Sequence, residues 1–324
     1  MKPPNTQRAR FSSIFPASSI SCSQAESTPA HGSIENFRLD IEEKENTMTY
    51  AKLDEISICF EVHGKNGSPL LMIHGLGCSI ADWSPELIRL LSTQHVVVIF
   101  DNRGVGRSDK PNIPFTMSDF ASDARGVLDH LQIDRTHVFG CSMGGMIAQH
   151  LALNYPARVQ SLILACTSSV WGHSKFVSPQ QEVLTQLAKP ASGDRAQDVR
   201  DGWQIMHTPS FIESHRGWLE QELQKSLALE YPETPNYARE LQIGAVVSSH
   251  NTYDKLSQII CPTLVQTGTE DVLIPPENSG ILADLIPNAR LIEYPGYGHG
   301  FLGPCEEKVA QDILGFVAEN ERTI

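Results

Sequence analysis

The chain has 324 residues, of which 40% are hydrophobic and 19% are charged, and its formal net charge is −13. These values are typical of a soluble globular protein, long enough for one large domain with an insertion or for two small domains. No cluster of lysine and arginine offsets the acidity, so nucleic acids and anionic membrane surfaces are poor candidate partners. No apolar run approaches the roughly 20 residues that a membrane-spanning helix needs.

The seven cysteines are scattered along the chain, and none forms a C-x-x-C pair. This spacing argues against a disulfide framework and a zinc site, and it favours a reducing compartment. The chain also contains no H-E-x-x-H motif and no phosphate-binding loop, so we expect no metal and no cofactor. We therefore predict a cytoplasmic protein.

Residues 1–47 differ in composition from the rest of the chain. Because they are rich in Ser, Pro, Ala and Thr and show no hydrophobic periodicity, we predict a disordered N-terminal extension. Residues 8–15 contain no acidic side chain, which is compatible with an organelle transit segment. Two other interpretations remain open: an untargeted tail, or a start assigned too early, with Met48 as the true first residue.

Hydrophobic residues alternate between Tyr50 and His63, with a turn near residues 54–55, and this pattern predicts a β-hairpin. Beyond it, short apolar runs alternate with amphipathic segments, as in a parallel sheet whose strands are buried between helices. The predicted strands lie at residues 70–73, 96–100, 136–139, 162–165, 263–267 and 290–294. The predicted helices lie at residues 83–92, 117–131, from 142 to about 155, 279–285 and 306–319.

Residues 168–249 interrupt this alternation, because they contain no buried-strand run and carry helical periodicity instead. Turns are expected within this segment at Pro190 and Pro232. We predict a helical cap, or lid, at residues 168–249, inserted into a core made of residues 48–167 and 250–324.

The sequence Gly-Cys-Ser-Met-Gly at residues 140–144 is a G-x-S-x-G motif between a predicted strand and a predicted helix. In that setting the motif places a serine on a strained turn, with its hydroxyl raised above the end of the sheet. A side chain at Gly140 or Gly144 would crowd the strand or the helix packed over the turn. We predict that Ser142 is a nucleophile.

A serine hydroxyl needs an adjacent base, and the base needs an acid that orients it. Both are expected at the carboxyl-terminal edge of the sheet, just beyond the later strands. His299 is the only histidine after residue 251, and it lies between two glycines beyond the strand at 290–294. Asp271, beyond the strand at 263–267, is the predicted acid, and the adjacent Glu270 is the alternative.

The oxyanion of a tetrahedral intermediate needs backbone N–H donors. One is expected from Met143, the residue after the nucleophile, at a helix N-terminus whose dipole favours negative charge. The second is expected from Leu76, in the sequence His-Gly-Leu-Gly at residues 74–77, where glycines let the backbone fold inward. We expect His74 to brace this loop rather than to act as a base.

These motifs, in this order, resemble those of the α/β-hydrolase superfamily, and in particular its serine esterase and enol-lactonase branch. The resemblance covers about residues 49–320 and rests on residues 73–77, 101–109, 140–145, 268–275 and 298–299. It implies a mostly parallel eight-stranded sheet with helices on both faces and a helical cap. It also implies a triad of Ser142, Asp271 and His299, with Leu76 and Met143 as oxyanion donors, and a structural turn at residues 101–109.

The predicted activity is hydrolysis of an ester or lactone of a small organic substrate through an acyl-enzyme. Two other serine reactions on the same frame remain alternatives: C–C bond hydrolysis of a dienoic diketone, and peroxy-acid formation. A third alternative is a receptor that binds a ligand in a retained hydrolase pocket. The sequence leaves the natural substrate and the oligomeric state open.

Overall fold

The computed structural model of the protein describes residues 49–321. The predicted N-terminal extension, its interpretation as a transit segment and Met48 as an alternative start all lie outside the described residues. Within them, no helix combines the length and the apolar character that crossing a bilayer requires.

Eight strands form one sheet across the described residues, as the resemblance implied. The strands are β1 (Thr49–Leu53), β2 (Ile56–His63), β3 (Pro69–Ile73), β4 (Val96–Phe100), β5 (Thr136–Cys141), β6 (Val159–Ala165), β7 (Thr263–Gly268) and β8 (Ala289–Tyr294). Their order across the sheet is β1-β2-β4-β3-β5-β6-β7-β8.

The strand directions follow from the connections. The hairpin β1–β2 is antiparallel and turns between Leu53 and Ile56, as predicted. β2 also pairs antiparallel with β4, whereas every pair from β4 across to β8 is parallel. Because parallel strands end at the same edge, the segments that follow β3, β5, β6, β7 and β8 meet on one rim of the sheet.

Nine α-helices occur in the described range. They are α1 (Pro85–Leu91), α2 (Met117–His130), α3 (Met143–Asn154), α4 (Gln181–Ala188), α5 (Arg195–Met206), α6 (Pro209–Ala228), α7 (Asn236–Ser249), α8 (Glu277–Leu285) and α9 (Glu306–Glu321). One side of the sheet packs against apolar residues of α2, α3 and α8, and the other side packs against those of α1 and α9. The predicted α/β-hydrolase fold, with helices on both faces, is confirmed.

The first of these helices begins two residues later than the sequence pattern indicated. Pro85 occupies its first position, and the Ser84 hydroxyl caps it by accepting a hydrogen bond from the Leu87 N–H at 3.2 Å. Trp83 lies before the cap and is buried, with its ring 5.7 Å from that of Phe139. An apolar side chain that packs outside the helix therefore extended the apparent period.

The segment between β6 and β7 is helical and contains α4 to α7, as predicted. Its two ends meet in an isolated antiparallel bridge between Val170 and Asn251. The helices α5 and α6 share a small apolar core of Trp203, Phe211, Leu219 and Leu223. This core is separate from the two that flank the sheet, whereas other residues of the segment, such as Ala245 and Val246, belong to one of those two cores.

Candidate active site

Ser142 lies at the turn between β5 and α3, with a φ of 55° and a ψ of −123°. This region favours glycine, and a serine held there costs about 1–3 kcal/mol unless the surroundings enforce it. The enforcing contacts are backbone hydrogen bonds: Ser142 N–H donates to Ala165 O at 2.9 Å, and Gly145 N–H donates to Ser142 O at 2.9 Å. The turn therefore has the geometry expected of a nucleophile elbow.

The two glycines of the motif are required by close backbone contacts. A Cβ on Gly140 would lie 2.3 Å from the carbonyl oxygen of Gly144, and a Cβ on Gly144 would lie 2.0 Å from that of Ile73. Both obstacles are backbone atoms, so no side-chain adjustment could accommodate a larger residue. The predicted crowding at these positions is confirmed.

Asp271 and His299 are hydrogen-bonded at the rim, with 2.7 Å between Asp271 Oδ2 and His299 Nδ1. The other oxygen, Asp271 Oδ1, accepts hydrogen bonds from Leu273 N–H and Ile274 N–H at 2.8 Å each. Both members of the pair are buried, whereas Glu270 is exposed. Of the two acids that the sequence left open, the structure brings Asp271 to the histidine.

The Ser142 hydroxyl and the His299 ring form no hydrogen bond within residues 49–321. They nevertheless belong to neighbouring parts of the rim. Ser142 N–H donates to Ala165 O, and the pKa of the adjacent Cys166 thiol is raised by burial, then by Cys141 and then by the charge of Asp271. Catalytic hydrogen bonds are commonly long in unliganded enzymes and tighten when substrate binds.

The backbone of residues 74–77 faces the serine. A Cβ built on Gly75 would lie 3.6 Å from Ser142 Oγ. The N–H groups of Leu76 and Met143 have no protein acceptor among the described residues, while those of Gly75 and Gly77 do. The N–H groups of both predicted oxyanion donors thus remain available to a ligand.

His74 braces this loop, as predicted. Its Nδ1 accepts a hydrogen bond from Gly75 N–H at 2.7 Å, and its carbonyl accepts one from the Asn102 side chain at 3.1 Å. The ring packs on Trp83 with 4.1 Å between centroids. Burial lowers the pKa of His74, which keeps Nδ1 unprotonated and able to accept.

The loop at residues 101–109 is a structural turn, which also confirms the expectation. Asp101 Oδ1 accepts from Ile80 N–H at 2.7 Å, and Oδ2 accepts from Arg107 N–H at 2.6 Å. The Tyr231 hydroxyl, from the helical insertion, donates to the same Oδ2 at 2.7 Å. Through these three bonds the Asp101 carboxylate joins the loop, the short helical turn at Ile80 and the insertion.

Sequence reasoning missed the part that Gln242 plays. Its Oε1 accepts from Gly77 N–H at 2.8 Å, and its Nε2 donates to Arg103 O at 3.0 Å. The side chain of Gln242, a residue of α7, is fully buried and holds the loop of residues 74–77 in place. A polar residue on an amphipathic helix, 165 positions from its partner, carries no local sequence signal of such a role.

No group of three or more His, Cys, Asp or Glu side chains suited to a metal ion occurs within residues 49–321. A family model described as the alpha/beta hydrolase fold matches residues 68–303. The chain belongs to the α/β-hydrolase superfamily. The fold, the strained serine turn and the order Ser142, Asp271, His299 all agree with that membership.

Relatives of this α/β hydrolase have several named activities. The protein named "Putative carbamate hydrolase RutD" of Azorhizobium caulinodans is 30% identical over 84% of this chain and 99% of the relative. The poly(3-hydroxyalkanoate) depolymerase of Ectopseudomonas oleovorans is 31% identical over 79% of this chain and 86% of the relative. The solved enol-lactonase of Burkholderia xenovorans has a TM-score of 0.70 at 22% identity, covering 83% of this chain and 100% of its own. At that identity the structural likeness shows the fold alone.

Proposed function

We propose that this α/β hydrolase is a serine hydrolase that cleaves a carboxylic ester or lactone of a small organic substrate through an acyl-enzyme. The observation that carries the proposal is the buried Asp271–His299 hydrogen bond of 2.7 Å, on the same sheet edge as the strained Ser142 turn. A carboxylate that bonds Nδ1 of a histidine leaves Nε2 as the basic nitrogen, which is the arrangement a serine nucleophile needs.

In the proposed mechanism, the Ser142 hydroxyl attacks the substrate carbonyl while His299 Nε2 accepts its proton. Asp271 keeps the imidazole in the required tautomer and stabilises the imidazolium that forms. His299 then returns the proton to the leaving oxygen, and a water molecule attacks the acyl-enzyme with the same histidine as base.

The negative charge of each tetrahedral intermediate falls on the former carbonyl oxygen. Leu76 N–H and Met143 N–H are the proposed donors to it, and Met143 is the first residue of α3, where the helix dipole adds to the effect. A single donor of this kind contributes roughly 10²–10³-fold to turnover. Because His74, Gln242 and Asn102 hold the loop of residues 74–77, the Leu76 N–H is preorganised before substrate arrives.

Carbamate hydrolysis is the second candidate activity. Its support is the 30% identity, over nearly the whole relative, to the protein named as a carbamate hydrolase. The proposed triad and N–H donors suit both ester and carbamate hydrolysis. Ser142 would attack a carbamate carbonyl as it attacks an ester carbonyl, and the donors would bind the same oxyanion. With the same leaving group, the two activities therefore differ in the pocket that receives the acyl or carbamoyl group.

The remaining expectations accompany this proposal. We propose that residues 168–249 act as a cap over the site and that the partner is a small molecule. We also propose a cytoplasmic compartment, supported by six free cysteines within residues 49–321.

The test is a substrate panel with matched leaving groups. It contains p-nitrophenyl esters of short acids, the corresponding p-nitrophenyl carbamates, simple lactones, a dienoic diketone and an ester with hydrogen peroxide. We expect ester or lactone turnover that Ser142→Ala abolishes while circular dichroism remains unchanged. Greater turnover of the carbamates would favour the second candidate, and cleavage of the diketone alone would contradict the proposal. A folded protein that turns over none of these compounds would indicate the receptor alternative.

A further inference from the structure

The loop that carries His299 is in direct contact with the junction between α5 and α6 of the insertion. Gly300 N–H donates a hydrogen bond to the carbonyl oxygen of Met206 at 2.7 Å. Met206 is the last residue of α5, and the next residue, His207, lies against the same loop. The insertion thus contacts the residue immediately after the proposed catalytic base.

This contact accounts for the two glycines that flank His299. A Cβ on Gly298 would lie 2.8 Å from Met206 O, and a Cβ on Gly300 would lie 2.8 Å from His207 Cε1. Neither glycine has a positive φ, so backbone conformation does not require them. What requires glycine at both positions is the close approach of the insertion.

The junction itself is held firmly in place. His207 N–H donates to Trp203 O at 2.8 Å, and the Thr208 hydroxyl caps α6 by accepting from Phe211 N–H at 3.2 Å. The Phe211 ring stacks on that of His207 with 5.1 Å between centroids, and it also packs against Tyr297. Two helix ends and an aromatic stack therefore fix the groups that touch the Gly-His-Gly sequence.

His207 is uncharged near pH 7, which suits a residue beside the proposed catalytic base. Burial, followed by the nearby His299, lowers the pKa of His207 to about 4, so the ring is neutral near pH 7. His299 must carry a positive charge during the proposed reaction, and a neutral neighbour does not oppose it.

We propose that the junction between α5 and α6 positions His299 through the Met206 carbonyl, which accepts from Gly300 N–H, so that the seating of the insertion sets the orientation of the proposed catalytic base. This inference rests on the proposed function and adds a second role to the cap, beyond covering the substrate. The position of the junction therefore determines where Gly300 and the neighbouring imidazole lie.

The test uses the fact that a methyl group at position 300 would meet a side chain first, whereas one at position 298 would meet a backbone oxygen. Gly300→Ala places a methyl group 2.8 Å from His207 Cε1, a contact that a second substitution can remove, and 3.2 Å from Met206 O, a contact that a shift of a few tenths of an ångström relieves. Gly298→Ala places one against the Met206 carbonyl, which no side-chain substitution removes. We expect Gly300→Ala to lower kcat at least 10-fold with KM changed less than 3-fold. Gly300→Ala/His207→Ala should recover most of that loss, and Gly298→Ala/His207→Ala should recover none of the loss in Gly298→Ala.

A control and a second measurement keep the outcome clear. Gly303→Ala, whose Cβ would lie 3.4 Å from the Trp218 ring, is an ordinary contact and should leave kcat unchanged. The proton NMR signal of His299 Nδ1–H needs no turnover, and it should shift in Gly300→Ala and return in the double variant. An unchanged kcat and signal in Gly300→Ala, or no recovery in the double variant, overturns the inference. An inactive wild-type enzyme whose signal still responds in this way contradicts the proposed function but supports the positioning.

Discussion

Asp271 has two oxygens with separate partners, and this division fixes its side chain. Oδ1 receives the N–H groups of Leu273 and Ile274, while Oδ2 receives the imidazole of His299. The acid is thus held by its own turn, independently of the histidine. A carboxylate held this way orients the imidazole without having to reorganise during the reaction.

Replacing Asp271 by Asn keeps the size of the side chain but provides only one acceptor oxygen. That oxygen either keeps the two N–H partners, leaving the NH₂ group against His299, or faces His299 and places the NH₂ group against the turn. We expect kcat to fall by about 10³–10⁴-fold, because the imidazole loses its required tautomer. The measurement is ester turnover under saturating substrate.

The matched control for this prediction is Glu270→Gln, an isosteric change at the exposed neighbouring acid. It should leave kcat within about twofold of the wild-type value, since surface substitutions away from special features have small effects. Comparable losses in the two variants would contradict the assignment of Asp271.

At the scale of elements, the loop of residues 74–77, which carries the proposed donor Leu76, is held in place by α7 of the insertion. Gln242 contacts both Gly77 and Arg103, and the Thr234 hydroxyl donates to Gly77 O at 3.1 Å. The loop after β3 therefore has one face on the serine turn and the other on the insertion. Removing that upper support should loosen the donors without removing them.

Gln242→Ala leaves the N–H of Gly77 and the carbonyl of Arg103 without their partner in a buried place. We expect the free energy of unfolding to fall by about 1–3 kcal/mol, as for other unsatisfied buried groups. Turnover should fall about tenfold, because Leu76 N–H is less well held. Urea denaturation and ester kinetics measure the two effects.

Ser248→Ala, an exposed position on the same helix, is the control and should change neither quantity. Wild-type turnover in folded Gln242→Ala would show that the loop keeps its shape without the insertion.

The elements differ in how well the sequence predicts them. The sequence predicts β3 to β7 because each contains a short run of apolar residues, as expected of a strand buried between helices, and that signal is local. The start of α1 was misjudged because Trp83 packs like a helical residue from outside the helix. The positions of Ser142, Asp271 and His299 follow from motif and strand order, whereas Gln242 and the Met206 contact depend on how the insertion docks.

For the molecule as a whole, the two ends of the insertion are tied to α3 by a buried polar network. His250 Nε2 donates to Ser168 O at 2.9 Å, and His250 Nδ1 accepts from His150 Nε2 at 3.3 Å. Gln149 and Thr252 join the same network, with 2.6 Å between Thr252 Oγ1 and Gln149 Oε1. The network needs His250 neutral, since protonation would turn its one accepting nitrogen into a donor.

This network predicts how stability responds to acid. Burial, followed by the nearby His150, lowers the pKa of His250 to about 3, against about 6.5 in an unfolded chain. Between these values the unfolded state binds a proton that the folded state does not, so stability is full above pH 6.5 and falls as the pH drops. Each such histidine contributes up to about 1.4 kcal/mol per pH unit.

We expect His250→Gln to be less stable than the wild type at pH 7.5 but to lose less stability between pH 6.5 and pH 5. Urea denaturation at several pH values in that range measures the slope for both proteins. Parallel slopes would mean that His250 is protonated in the fold and would contradict the assigned hydrogen bonds.

Reaction with a fluorophosphonate tests the central claim most directly, because the reagent needs an activated serine and an oxyanion site but no knowledge of the natural substrate. Intact mass and peptide mapping should show one phosphonyl group on Ser142 in the wild-type protein. Ser142→Ala should show none, and His299→Gln should react at least 10²-fold more slowly, the lower end of what a positioned base contributes. A folded wild-type protein that remains unlabelled, or one labelled at a different residue, would contradict the account.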